Sequence, residues 1–178
     1  MTKQQSSIGR RLEQSLNSLI EGDYESSLVH FFPALDKTAK LRRSKAGVGE
    51  RIKAFLNDEE DFITFIAFRI VFKNTKFDGL SFGEAIYKFG RTSVMHEGEL
   101  DQRLSFEATD QIMIVGDKWI LPPSYIAAMI TAVMAAEENS KEFFSHPKRL
   151  HLHGQMVSAN DIWGEKRLIQ RMLDMPRV

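Results

Sequence analysis

From Ile8 to Val94 the apolar residues of this chain recur every three to four positions, and between Leu104 and Leu121 they switch to alternation. That change of period constrains the fold more than any other feature. A 3.6-residue repeat buries one stripe of a helix, whereas a two-residue repeat buries one face of a strand. Ile8, Leu12, Leu16, Leu19 and Ile20 predict a short first helix that Gly22 ends. Asp23 caps a second helix with Leu28, Phe31, Phe32, Leu35 and Ala39 inward, which Pro33 should kink or split. A short helix carrying Ile52, Phe55 and Leu56 follows, and the acids from Asp58 to Asp61 open a buried helix reaching Phe72. Ser81 and Glu84 form a capping box ahead of a helix through Ile86, Tyr87, Phe89 and Val94 that ends near His96 to Gly98. Gly116-Asp117 between two apolar runs signals a tight hairpin. Pro122 and Pro123 then lead a long amphipathic helix through Tyr125, Met129 and Met134 to Phe143 or Phe144. A short strand at Leu150 to Leu152 and a terminal helix with Trp163 and Leu168 complete a mainly α chain with one small sheet.

With 178 residues the chain can bury a core without covalent staples. It contains no cysteine, so a disulfide framework and a thiolate zinc site are both excluded. Its 24 basic and 24 acidic residues cancel, which argues against a protein held on duplex DNA by bulk charge. The start from Met1 to Arg11 is polar, and charge interrupts every apolar run far short of a bilayer span. The expectation is a cytoplasmic protein with no membrane partner.

Phosphate-binding glycine loops, the dinucleotide fingerprint, the nucleophile elbow, His-Glu-x-x-His and the calcium loop are all missing from the sequence. What carries chemistry is a polar set at the end of the fifth helix: Arg91, Thr92, Ser93, His96, Glu97 and Glu99. An arginine fork grips a phosphate bidentately, and an imidazole titrating near neutrality moves a proton to or from a ribose hydroxyl. Together they suffice to cleave RNA by attack of its own 2′-hydroxyl without a metal. Five residues correspond to about 140° around an ideal helix, so both side chains reach one cleft only where the helix end loosens or the cleft is wide.

The stretch from Tyr87 to Gly98 (Tyr-Lys-Phe-Gly-Arg-Thr-Ser-Val-Met-His-Glu-Gly) resembles the signature helix of the HEPN superfamily, the higher eukaryotes and prokaryotes nucleotide-binding domain. The segment from Asp23 to Lys40 is similar to the first long helix of many bacterial members. The resemblance covers roughly Gly22 to His96, with the later long helix fitting the rest of the four-to-five-helix bundle that it implies; the hairpin and the segment after Phe144 lie outside it, and the whole chain, 1–178, reads as one domain. Residues 6–101 would form the helical core with the motif, 102–121 a β-hairpin insertion, 122–144 a long helix and 145–178 a C-terminal appendage. It also implies a homodimer in which the Arg-x4-His helices of two subunits make one composite cleft for metal-independent endoribonuclease chemistry. Such members serve as toxins or phage-defence nucleases, often controlled by an antitoxin or another regulatory protein. Carried over, Arg91 binds phosphate, His96 does acid/base work and Thr92 is the polar residue after the arginine, where members more usually have asparagine, aspartate or histidine. Other members are noncatalytic modules that bind a partner protein or nucleotide, and the sequence leaves that alternative open.

Two further features bear on binding. Seven basic residues (Lys37, Lys40, Arg42, Arg43, Lys45, Arg51 and Lys53) crowd the stretch between Asp36 and Lys53, and Lys37, Lys40, Arg42 and Arg43 are the candidate nucleic-acid contacts. The competing reading is a solvated helix end. His151-x-His153 with nearby His146 invites a metal, yet no carboxylate follows at ligand spacing before Asp161, so neither a metal nor a cofactor is expected.

Overall fold

The computed structural model describes residues 4–109 and 111–176 and is mainly α-helical. Ser6 caps α1 (Ser7–Ile20) by accepting the Ile8 and Gly9 amides, and Asp23 caps α2 (Tyr24–Arg42) by accepting the Ser26 amide. The two helices pack as an antiparallel pair joined by Gly22 at φ 79°. Between them the Ser15 hydroxyl donates to the Ser27 carbonyl at 2.8 Å, both residues being buried. α2 runs as one helix through Pro33, so of the expected kink or split the split does not occur. Phe31, Phe32, Ala34 and Leu35 are fully or almost fully buried around the proline. Their burial, at roughly 1.5–3 kcal/mol for each large side chain, outweighs the roughly 3 kcal/mol that an interior proline costs.

α3 (Val48–Asp58) and α4 (Glu60–Phe68) follow. α4 stops four residues short of Phe72, because Arg69 turns into the left-handed region at φ 60° and the Phe72 amide donates to the Thr64 hydroxyl at 3.0 Å. A hairpin of β1 (Lys76–Phe77) and β2 (Leu80–Ser81) leads into α5 (Phe82–Ala85), a π-helical stretch (Ile86–Thr92) and α6 (Ser93–Glu97). The expected hairpin is present: β4 (Met113–Val115) pairs antiparallel with β5 (Lys118–Leu121) across Gly116-Asp117. It belongs, however, to a three-stranded sheet, because β3 (Leu104–Phe106) lies parallel to β5 on its other edge with Leu104 opposite Trp119.

α7 (Ser124–Ala135) is shorter than its pattern suggests and is buried on nearly every side, from Tyr125 to Ala135. It is the central helix of the core rather than an amphipathic surface one. Asn139, itself fully buried in the 3₁₀ turn Glu137–Asn139, ends it by donating to the Val133 carbonyl at 2.7 Å and to the Thr38 hydroxyl at 2.9 Å. β6 (Arg149–Leu152) and β7 (Gln155–Ser158) form a hairpin, and α8 (Lys166–Met172) closes the fold. One apolar core extends from Ile8 to Leu173. Trp119 packs edge-on to Phe77, and Trp163 packs edge-on to Phe144.

Candidate functional site

The helix that carries the motif begins with the capping box that its sequence predicts. Ser81 Oγ accepts the Glu84 amide at 3.2 Å, and the Glu84 carboxylate accepts the Ser81 amide at 2.8 Å. The Ser81 amide first, and then the Ser81 side chain, hold the Glu84 carboxyl below the usual carboxylate range. The far end is Gly98, at φ 80°. Two glycines let the helix approach its neighbours. A Cβ at Gly83 would lie 2.5 Å from the Lys53 carbonyl of α3, and one at Gly90 would lie 3.1 Å from the Phe32 ring of α2. The Gly83 amide donates to Asn57 Oδ1 at 2.9 Å, fixing the helix on α3.

In the π-helical stretch each turn closes five residues back and is wider than an α-turn, a form that recurs at functional sites. Two bonds occupy carbonyls inside it: the Thr92 hydroxyl donates to the Tyr87 carbonyl at 3.1 Å, and the Asp101 amide donates to the Phe89 carbonyl at 3.1 Å. Arg91 lies near the end of the π-helical stretch and His96 in the last turn of α6. Phe89, Gly90, Ser93 and Val94 face the core, whereas Arg91 is half-buried and Thr92 and His96 are exposed. The Arg91 guanidinium lies 5.7 Å from the centroid of the Tyr87 ring and has no carboxylate within 4.0 Å among the described residues. The arginine and the histidine are therefore both open to a ligand, while the Thr92 hydroxyl is directed back into its own helix.

The basic run does not stay together. Arg42 bonds Glu59 at 2.8 Å and Glu138 at 2.7 Å, and its guanidinium lies 4.4 Å from the Phe55 ring. Burial lowers its pKa, but the hydrogen bonds to Glu138 and Glu59 outweigh that and raise it above the ordinary arginine value. Lys166 bonds the same Glu59 at 2.6 Å, so Arg42 and Glu59 tie α2, α8 and the turn after α7 into one network. Arg43 pairs with Asp58 at 2.6 Å and Arg51 with Asp36 at 2.7 Å. Lys40 is exposed, and Lys37 donates to Ser7 Oγ at 2.5 Å from an exposed position. Of the four candidate contacts, the two lysines face solvent and the two arginines are occupied by acids.

The three histidines do not converge. His146 Nδ1 meets Glu13 at 2.8 Å, His153 Nε2 donates to the Phe65 carbonyl at 2.9 Å, and His151 is exposed on β6. Among the described residues no group of three or more histidine, aspartate or glutamate side chains is placed to hold a metal ion. No described helix is long and apolar enough to cross a membrane.

Tyr87 is a residue that the sequence pattern places on the motif helix without a part in binding. Its signal is the i, i+4 spacing to Arg91, which brings an aromatic ring beneath a guanidinium on a helix face. The glycine that admits the ring, Gly49, lies on α3, and nothing in its local sequence marks it for that purpose. A Cβ there would meet the Tyr87 ring at 3.0 Å. The family model Rv1289 matches residues 7–178. No curated protein and no solved structure matches the chain.

Proposed function

We propose that this chain, which belongs to the Rv1289 family, is a HEPN-like, metal-independent endoribonuclease whose composite site forms between two copies. The observation that carries the reading is the state of the motif helix. It is buried along one side, yet it presents Arg91 and His96 to solvent with no acid within salt-bridge distance of either among the described residues. In this reading Arg91 holds the scissile phosphate and lowers the cost of the charge that builds on it. His96 takes the proton from the 2′-hydroxyl, or returns one to the departing 5′-oxygen. A second copy supplies the other wall of the cleft, and the cytoplasm, where RNA is available, is the setting. A toxin or phage-defence role controlled by a regulatory protein belongs to the same proposal.

A second reading, a noncatalytic HEPN-like module that binds a partner protein or nucleotide through the same groove, is favoured by one feature. The Thr92 hydroxyl gives its proton to the Tyr87 carbonyl and so does not donate it to a substrate. One experiment separates the two. Purified protein is incubated with RNA in excess chelator beside His96→Ala and Arg91→Ala. Cleavage by wild type that either substitution abolishes supports the nuclease. Cleavage by all three alike, or none by wild type at high concentration, eliminates it in favour of the module.

A further inference from the structure

We propose that Lys53, Tyr87 and Arg91 form a phosphate-gripping shelf between α3 and the motif helix, and that it takes a backbone phosphate of single-stranded RNA. The proposal rests on the RNA-processing reading above, but it adds a residue from a different helix that the motif does not include. Lys53 Nζ lies 5.9 Å and the Arg91 guanidinium 5.7 Å from the centroid of the same Tyr87 ring. Both cations are half-buried, and neither has a carboxylate within 4.0 Å among the described residues. The arginines of the basic run show the opposite pattern, with Arg42, Arg43 and Arg51 each bonded to an acid. Glu84 is close enough for its charge to interact with Lys53, but its carboxylate is held by the Ser81 amide and shared with Lys76.

The ring is seated by backbone geometry. At Gly49 a Cβ would lie 3.0 Å from both Cζ and Oη of Tyr87, so only glycine admits the phenol there without displacing it. The negative face of an aromatic ring attracts a cation within about 6 Å, so Tyr87 lies within reach of both charges. Neither cation is bonded to an acid among the described residues, so an incoming anion meets two charges that no salt bridge occupies. The chemistry matches a phosphodiester: the arginine offers a planar fork and the lysine a compact point charge.

The test uses a 2′-O-methyl RNA oligonucleotide, which cannot be cut by its own 2′-hydroxyl, and reads binding by fluorescence anisotropy across a salt series. Lys53→Gln should weaken binding about fivefold and reduce the magnitude of the slope of log K against log salt by about 0.7, the amount set by one lost phosphate contact on a single strand. Tyr87→Leu should weaken binding similarly and Tyr87→Phe should restore it, because the ring and not the hydroxyl gathers the cations. Lys73→Gln, on an exposed loop, is the control for lost charge and should leave the slope unchanged. Equal urea midpoints for Lys53→Gln and wild type establish that the variant is folded. An unchanged slope for Lys53→Gln, or a Tyr87→Phe variant as weak as Tyr87→Leu, overturns the shelf and leaves the nuclease reading intact. Lys53-dependent binding together with no cleavage of unmodified RNA overturns the nuclease and leaves the shelf. No binding by wild type overturns the shelf outright.

Discussion

Replacing Arg42 with methionine is the sharpest test of how this fold is held together. The substitution keeps an aliphatic stem against Phe55 but deletes the guanidinium that bonds Glu59 at 2.8 Å and Glu138 at 2.7 and 3.1 Å. The Glu59 side chain is only 5% exposed and would retain Lys166 alone, at 2.6 Å. Removing one partner of a buried pair costs about 3–5 kcal/mol, because the remaining charge is left desolvated. The Arg42 side chain is 22% exposed, so water reaches part of the site. Together with the surviving lysine, that brings the expected loss to about 2–3 kcal/mol. At roughly 2–4 °C per kcal/mol for a chain of this size, the melting temperature should fall by about 4–12 °C. Urea denaturation measures the loss as a shift in midpoint at unchanged slope. In a Glu59→Gln background the same replacement should cost less, since the more deeply buried of the two charges it strands is no longer there while Glu138 remains. A loss below about 1 kcal/mol, or one identical in both backgrounds, would refute the claim that this network ties α2 to α8.

Other expectations follow from the same geometry. Burial first, and then the neighbouring Arg11, hold His30 below its ordinary value of 6.5. The unfolded chain therefore binds that proton first, so the site's stability is intact above about pH 6.5 and declines as pH falls towards the lowered folded value. Between pH 8 and 5 the urea midpoint should drop more steeply for wild type than for His30→Gln, and parallel curves would contradict the assignment. Burial raises the pKa of Glu13, but hydrogen bonds from Gln5, the His146 ring and the backbone amides of His146 and Ser145 prevail and hold it below 4.5. Its stabilisation is present above that pH and is lost as pH falls through the folded value. Glu13→Gln should cost about 1–3 kcal/mol at neutral pH and flatten the acid limb; an unchanged limb would count against it. Gly83→Ala must displace the Lys53 carbonyl, and calorimetry should show a net loss of about 1–2 kcal/mol despite alanine's better helix propensity. A neutral or stabilising alanine would mean that α3 and the motif helix are not in tight contact.

Local signals were legible in the sequence where local bonds decide the outcome. The Ser81–Glu84 box, the Gly98 stop and the Gly116-Asp117 turn are each made by residues within a few positions of one another. Tertiary partners decided the rest. α2 continues through Pro33 because the core on both sides of it is dense. α7 ends at Ala135 because Asn139 reaches back to the Val133 carbonyl and across to Thr38, a partner far away in sequence. β3 alternates as a strand should, but nothing in alternation says that it runs parallel to β5. At the candidate site the sequence placed Arg91 and His96 at the end of a helix, and the structure leaves Arg91 half-buried and His96 exposed there. The π-helical stretch was not foreseeable, because its residues read as an ordinary amphipathic turn. The engagement of Arg42 and Arg43 with acids depends on α3, α4 and the turn after α7 folding against them, which a run of like charge does not reveal.

The measurement that bears most directly on the nuclease reading is the chemistry of the ends it leaves. Cellular RNA is incubated with wild type or His96→Ala in excess chelator, and the fragments are analysed for terminal groups. Attack by the 2′-hydroxyl through Arg91 and His96 predicts 5′-hydroxyl and 2′,3′-cyclic phosphate ends, formed by wild type and not by the variant. Intact RNA, fragments with 5′-phosphate ends, or equal yields from His96→Ala would contradict it.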